Sequence, residues 1–346
     1  MKEITQLMRA SVKAMKPYSC ARDEFQGEAS IFLDANENPY NAPYNRYPDP
    51  LQRQVKEPLA VIKGVRPEQI FLGNGSDEAI DLVFRAFCEP RQDNVVAIAP
   101  SYGMYQVAAE TNDVAYRVVP LDDHFDLDVE AILAAIDAQT KAIFLCSPNN
   151  PTGNSLSIDR IDRVIESFDG LVVVDEAYID FSSHPSYLTR LDEAPNLIVL
   201  QTFSKAWGSA GIRLGMAFAS EEIIAVLNKI KYPYNVNMLT QEEAIRMLDQ
   251  HKQVNGWVAE LLKERKVLVH ALQELSIVQH IYPTDANFVL VRVDDVDAVY
   301  HHLVEAGIVV RNRNTVTKCM GCIRITVGKP FENLTLLNTL AKYKAQ

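Results

Sequence analysis

With 346 residues, 48% hydrophobic and 23% charged, the chain has the makeup of a globular protein and exceeds what one core readily holds, which points to two domains. Its formal net charge of −11, from 34 Lys+Arg against 45 Asp+Glu without a basic cluster, argues against nucleic acid or an anionic membrane surface as a partner. No leader-like apolar segment opens the chain, no apolar run approaches bilayer length, and 5 scattered cysteines fit a reducing compartment, so a cytoplasmic protein is expected.

The first 40 or so residues, Pro- and Asn-rich around Asn36-Glu37-Asn38-Pro39-Tyr40, read as an arm. Strand-like Ile70-Phe71-Leu72 is followed by Gly73-Asn74-Gly75-Ser76-Asp77-Glu78 and a helical pattern at 79–84. Glycines let backbone approach an anion, and a helix N-terminus offers free N–H groups. An ordinary Asp/Ser helix cap explains the same residues equally well. Nearly continuous apolar runs come at 95–99, 142–146, 171–174 and 197–200, as in strands covered on both faces. Helical patterns, such as 128–136, lie between them. The alternation predicts an α/β fold with a mostly parallel central sheet, whose ligands bind at the carboxyl ends of its strands.

Several polar residues fall at such ends. Tyr102 follows the first run and suits either ring stacking or a core position at a helix start. Asn150, in Ser147-Pro148-Asn149-Asn150-Pro151-Thr152-Gly153, lies in a stretch that also reads as a plain turn. Asp175 closes a wholly apolar run, where a carboxylate is costly unless it meets a cation, and Tyr178 follows three residues later. Lys205 lies in Thr202-Phe203-Ser204-Lys205-Ala206-Trp207, and Arg213 in a Gly-flanked segment eight residues on. An amine at a strand end can form a Schiff base with an aldehyde cofactor, while Thr202, Ser204 and Arg213 hold that cofactor's phosphate. A protonated ring nitrogen would be the cation for Asp175.

From 239 to 276 the pattern is long and helical, and short strands follow at 287–293 and 322–327. This change of texture predicts a smaller α+β domain. The expected division is an arm with part of the small domain (1–43), a large domain (44–245) and a small C-terminal domain (246–346). Arg311 and Arg313 alternate as on a solvated strand face, yet Arg311 with Arg324 suits an anion clamp; Arg313 stays open. His301-His302 reads as a helix surface pair. Cys319 and Cys322 form a C-x-x-C without a second pair or a nearby histidine, so no metal is assigned.

Asn-Pro-Thr-Gly at 150–153, Asp-Glu-Ala-Tyr at 175–178, Ser-Lys at 204–205 and Arg213 together resemble the fold-type I pyridoxal-phosphate aminotransferases of the aspartate aminotransferase superfamily. Within it, the chain is similar, essentially end to end, to the histidinol-phosphate aminotransferase family. That likeness rests on Pro17-Tyr18-Ser19-Cys20-Ala21-Arg22, Asp34-Ala35-Asn36-Glu37-Asn38-Pro39, Arg46-Tyr47-Pro48-Asp49, the segment 231–237, Val310-Arg311-Asn312-Arg313 and the segment 323–328.

The resemblance implies that Lys205 joins the pyridoxal 5'-phosphate aldehyde, that Asp175, Asn150 and Tyr178 hold the ring, and that Tyr102 stacks on it. Gly75, Ser76, Asp77, Thr202, Ser204 and Arg213 would hold the phosphate. Tyr18, Asn36, Arg311 and Arg324 would meet the substrate, and Tyr47 would reach a partner's site in a homodimer. The implied reaction is transamination between histidinol phosphate and 2-oxoglutarate, giving imidazole-acetol phosphate and glutamate, with Lys205 moving the proton. Alternatives on the same fold are an aromatic or aspartate-type aminotransferase and a phospho-amino-acid decarboxylase. A cofactor-binding regulator would need a basic DNA-binding module, and a catalytically dead homologue would not keep the full set of site residues.

Overall fold

The computed structural model describes residues 3–18 and 30–343. Two short helices open the chain, α1 (Ile4–Leu7) and α2 (Ala10–Ala14). They are more than an arm, because Ile4, Leu7 and Val12 are buried in a core shared with the larger sheet. After α3 (Arg53–Lys63) come β1 (Ile70–Asn74), α4 (Ser76–Phe87), β2 (Asn94–Ala99), α5 (Met104–Thr111), β3 (Ala115–Pro120), α6 (Val129–Ala134), β4 (Thr140–Cys146), α7 (Ile158–Ser167), β5 (Leu171–Asp175), β6 (Leu197–Thr202) and β7 (Leu214–Ala219). The strands form one sheet of seven in the order β1-β7-β6-β5-β4-β2-β3.

From β6 to β3 all neighbours are parallel, and β7 runs antiparallel to both β6 and β1. The reason lies in chain length. Residues 203–213 are too few for a crossover helix, so the chain must turn straight back beside β6. Strands β5 and β6 are buried along their whole length and β4 at every position but Lys141, in keeping with their continuous apolar runs. Helix α6 is shorter than the sequence pattern, and Asp128 caps it by accepting the Ala131 N–H at 3.0 Å.

Helix α8 (Glu221–Ile230) packs on the large sheet, and the long helical pattern beyond it breaks at Gln250 into α9 (Met238–Asp249) and α10 (His251–Gln273). The second sheet holds β8 (Val278–Ile281), β9 (Phe288–Val293), β10 (Arg311–Asn312) and β11 (Cys322–Thr326), in the order β10-β11-β9-β8, entirely antiparallel. With α10, α11 (Val296–Glu305) and α12 (Pro330–Lys342) it encloses its own apolar core. Phe288 and Leu290 instead join the core of the large sheet, so the two sheets share packed side chains.

Cys319 and Cys322 are buried in that shared core, and burial pushes the Cys319 thiol up to about 12. His301 is exposed as expected, but His302 is half-buried and its Nε2 lies 3.1 Å from the Thr339 carbonyl of α12.

Candidate active site

One cleft of about 760 Å³ opens at the carboxyl ends of β4, β5 and β6. Its lining includes Gly75, Ser76, Asp77, Tyr102, Asn150, Asp175, Tyr178, Thr202, Ser204, Lys205, Arg213, Arg311 and Arg324. The fold thus brings together all but three of the sequence-predicted site residues. The exceptions are Tyr18, which is 71% exposed, Asn36 and Tyr47. Tyr47 instead stacks on Tyr234, with ring centroids 4.4 Å apart and 12° between planes. Arg22 of the quoted arm motif lies outside the described residues.

At the floor, Asp175 ends β5 in full burial. Its carboxylate accepts the Tyr105 hydroxyl at 2.7 Å and the Ala177 N–H at 3.0 Å. Burial pushes its carboxyl up to about 6, and the Tyr105 hydrogen bond pulls the other way. Sequence reasoning missed Tyr105 and weighed Tyr102 alone. The structure divides the two roles: Tyr105 is the core aromatic, while Tyr102 lines the cleft and donates to Asp77 at 3.0 Å. Tyr102 precedes α5 and Tyr105 lies in its first turn, and that spacing of three residues was the available signal.

The 147–153 turn is held rigidly. The Asn149 side chain donates to the Pro100 carbonyl at 2.9 Å and to Thr152 at 2.8 Å, and it accepts from Ser101 at 3.1 Å. This positions Asn150, whose amide nitrogen lies 3.5 Å from the Tyr178 hydroxyl and whose carbonyl accepts from Arg324. Tyr178 packs edge-on against Phe288, and the Lys205 amine lies 5.6 Å from its ring centroid. Burial holds the Lys205 amine below its ordinary range, followed by the charges of Arg324 and Arg213, with Asp175 opposing.

At the other end is an anion cup. The first turn of α4 has N–H groups without intrahelical partners, and they lie beside Arg213. Arg213 adopts a left-handed backbone (φ 55, ψ 47), which costs a non-glycine residue about 1 kcal/mol. From there its guanidinium reaches Ser204 at 3.4 Å and Asp77 at 3.8 Å. A side chain at Gly75 would put its Cβ 2.9 Å from that guanidinium, and one at Gly215 would put its Cβ 2.0 Å from the Ser76 nitrogen. The backbone clash requires glycine at 215, and the left-handed φ of 74 favours it at 75.

Behind the cup, Asn235 donates to the Leu72 carbonyl at 2.9 Å and to Glu78 at 3.0 Å, while Asn74 donates to the Asn235 carbonyl at 2.6 Å. Buried Lys231 gathers the carbonyls of Pro50, Tyr232 and Pro233. The 231–237 segment is thus a brace for the cup. An anion cup, a buried carboxylate and an amine between them fit a phosphate-bearing heteroaromatic aldehyde.

The fold and the cleft define the class: residues 32–340 match the family model described as aminotransferase class I and II. A histidinol-phosphate aminotransferase of Parabacteroides distasonis is 61% identical over 344 residues, covering 99% of this chain and 100% of that protein. One from Bacteroides thetaiotaomicron is 58% identical over 345 residues, covering 99% and 100%. The solved histidinol-phosphate aminotransferase from Clostridium acetobutylicum shares the fold with a TM-score of 0.79 at 24% identity, covering 86% of this chain and 90% of that one. The chain belongs to the histidinol-phosphate aminotransferase family within the class I and II aminotransferases.

Proposed function

We propose that the cleft transaminates histidinol phosphate with 2-oxoglutarate, using pyridoxal 5'-phosphate, in histidine biosynthesis. The observation that carries the reading is the convergence, in one cleft, of a free amine, a buried carboxylate and an anion cup, in a chain 47–61% identical to relatives that all bear this enzyme name. An aromatic aminotransferase or a phospho-amino-acid decarboxylase is not favoured, because those relatives agree. The test is glutamate formation from histidinol phosphate and 2-oxoglutarate.

When bound, pyridoxal phosphate supplies a carbonyl carbon that receives the amino group and a protonated ring that takes up electron density. The residues around it divide the work. Asp175 would hold the proton on the ring nitrogen, and Tyr178 and Asn150 would face the ring's phenolic oxygen. The α4 N-terminus, Thr202, Ser204 and Arg213 would bind the phosphate. Lys205 would hold the aldehyde and then, once free, carry a proton between the reacting carbons as base and acid. Arg311 and Arg324 would take the distal anion of either substrate, phosphate or carboxylate. Exposed Tyr40, Tyr44, Tyr47 and Tyr232 would face a second copy in a homodimer. No described helix is long and apolar enough to cross a membrane, and a cytoplasmic setting suits the proposed pathway.

Two results follow from this assignment. Arg324→Lys keeps the charge but loses the forked geometry and the contact with Asn150, so kcat/KM should fall about 10- to 100-fold in both half-reactions. Unchanged values for both substrates would remove Arg324 from the clamp. Tyr105→Phe deletes a hydrogen bond that favours ionised Asp175, so that carboxyl rises above about 6. In the proposed complex, cofactor binding should weaken progressively as pH falls below that value. Its acidic midpoint, read from cofactor absorbance between pH 5 and 8, should therefore move up by about one pH unit.

A further inference from the structure

We infer that Arg313 is a third guanidinium of the substrate-anion site and that it favours the phosphate-bearing substrate over the dicarboxylate one. The inference rests on the reading above that one cleft serves both. In the antiparallel β10–β11 pair, Arg311 stands opposite Arg324. Side chains alternate along extended chain, so Arg313 returns to the face of Arg311. Its backbone N–H still bonds the Cys322 carbonyl at 2.8 Å, which carries the ladder one step beyond the strand. Arg311, Arg313 and Arg324 all line the cleft.

Like charges directly opposite each other on a sheet repel, and a third guanidinium adds to the strain. None of the three forms an ion pair with a carboxylate among the described residues, and the side-chain hydrogen bond of Arg324 goes to neutral Asn150. The Nε of Arg313 is buried without a hydrogen-bond partner. Burial, then Arg324 and Arg311, pull its guanidinium down to about 10, with only Cys319 and Tyr178 acting in the opposite sense. Three converging cations with an unfilled buried donor call for an anion with more than one charge. A carboxylate carries one charge on two oxygens, which a forked arginine already satisfies. A phosphate monoester carries nearly two charges on three oxygens, and the third guanidinium is what distinguishes it.

The test uses cofactor-loaded wild type, Arg313→Gln and Arg313→Lys. Each half-reaction is followed separately, with glutamate and with histidinol phosphate, and inorganic phosphate is titrated as an inhibitor of the glutamate half-reaction. In Arg313→Gln, kcat/KM for histidinol phosphate should fall about 10- to 100-fold, and the phosphate inhibition constant should rise by a similar factor. The loss with glutamate should be at least about tenfold smaller. Arg313→Lys should recover part of the phosphate loss, which a purely structural role would not produce. Equal losses on both substrates, or unchanged phosphate inhibition, would overturn the assignment. Should wild type fail to turn over histidinol phosphate, the functional reading falls, while phosphate inhibition of the glutamate half-reaction still decides the place of Arg313.

Discussion

Replacing Lys205 with alanine is expected to lower turnover at least about 10⁴-fold while leaving the chain folded, as circular dichroism would show. The fold does not depend on this side chain. It sits in the turn after β6, open to the cleft, with its amine 5.6 Å from the Tyr178 ring centroid. In the proposed reaction its importance is chemical, because the residue would both bond to a carbonyl carbon and later accept a proton. Lys205→Arg separates these demands from charge alone. It keeps a cation at the same place but cannot lose its proton near neutral pH, so it should be as inactive as alanine. Activity within tenfold of wild type in either variant would remove Lys205 from the reaction.

The surroundings add a pH signature. Burial and then Arg324 lower the Lys205 pKa, so removing the Arg324 charge favours the protonated amine and raises it. In Arg324→Gln the residual rate should therefore need a higher pH to reach its plateau. A shift toward lower pH would contradict the sign of that coupling.

Much of this site is legible in the linear chain because buried parallel strands read as unbroken apolar runs. A carboxylate or an amine that closes such a run stands out, as Asp175 and Lys205 do. Helix-start residues such as Ser76 and Asp77 are equally local. Other features depend on contacts that no window contains. The antiparallel course of β7 follows from a short return. Strand β3 lies at the sheet edge with several exposed positions, so its pattern is weak. The brace from Asn235 to Glu78 joins residues far apart in sequence. Tyr105 was hidden behind Tyr102, and Arg313 behind an alternation that suits a solvated strand equally well. Tyr18, Asn36 and Tyr47 do not line the cleft, since their assigned places came from resemblance and, for Tyr47, from a second copy of the chain.

Asp175→Asn should disable the enzyme and stabilise the cofactor-free protein. The carboxyl titrates near 3.8 in an unfolded chain and at about 6 in the fold. At pH values below both, the group is protonated in either state and carries no penalty. As pH rises from about 4 to about 6 the native state must hold an ever more charged, buried carboxylate, and stability falls by about 3 kcal/mol in all. Asparagine escapes this penalty. Its carbonyl can still accept the Ala177 N–H, and its amide can donate to the Tyr105 oxygen. Denaturant titrations should show the variant about 2–3 kcal/mol more stable at pH 8 and matched to wild type near pH 3.5. Neighbouring Glu176, pushed up to about 7 by its own burial, weakens both proteins alike as pH rises, so the difference between them isolates Asp175. Turnover should fall at least about 10³-fold, because a neutral amide cannot keep a ring nitrogen charged. Equal stability at pH 8, or more than a tenth of wild-type activity, would refute the assignment. A carboxylate that weakens its own fold and has no arginine or lysine ion pair among the described residues is accounted for by the proposed function: the missing cation would arrive with the cofactor, and the stability withheld from the empty protein would return as binding.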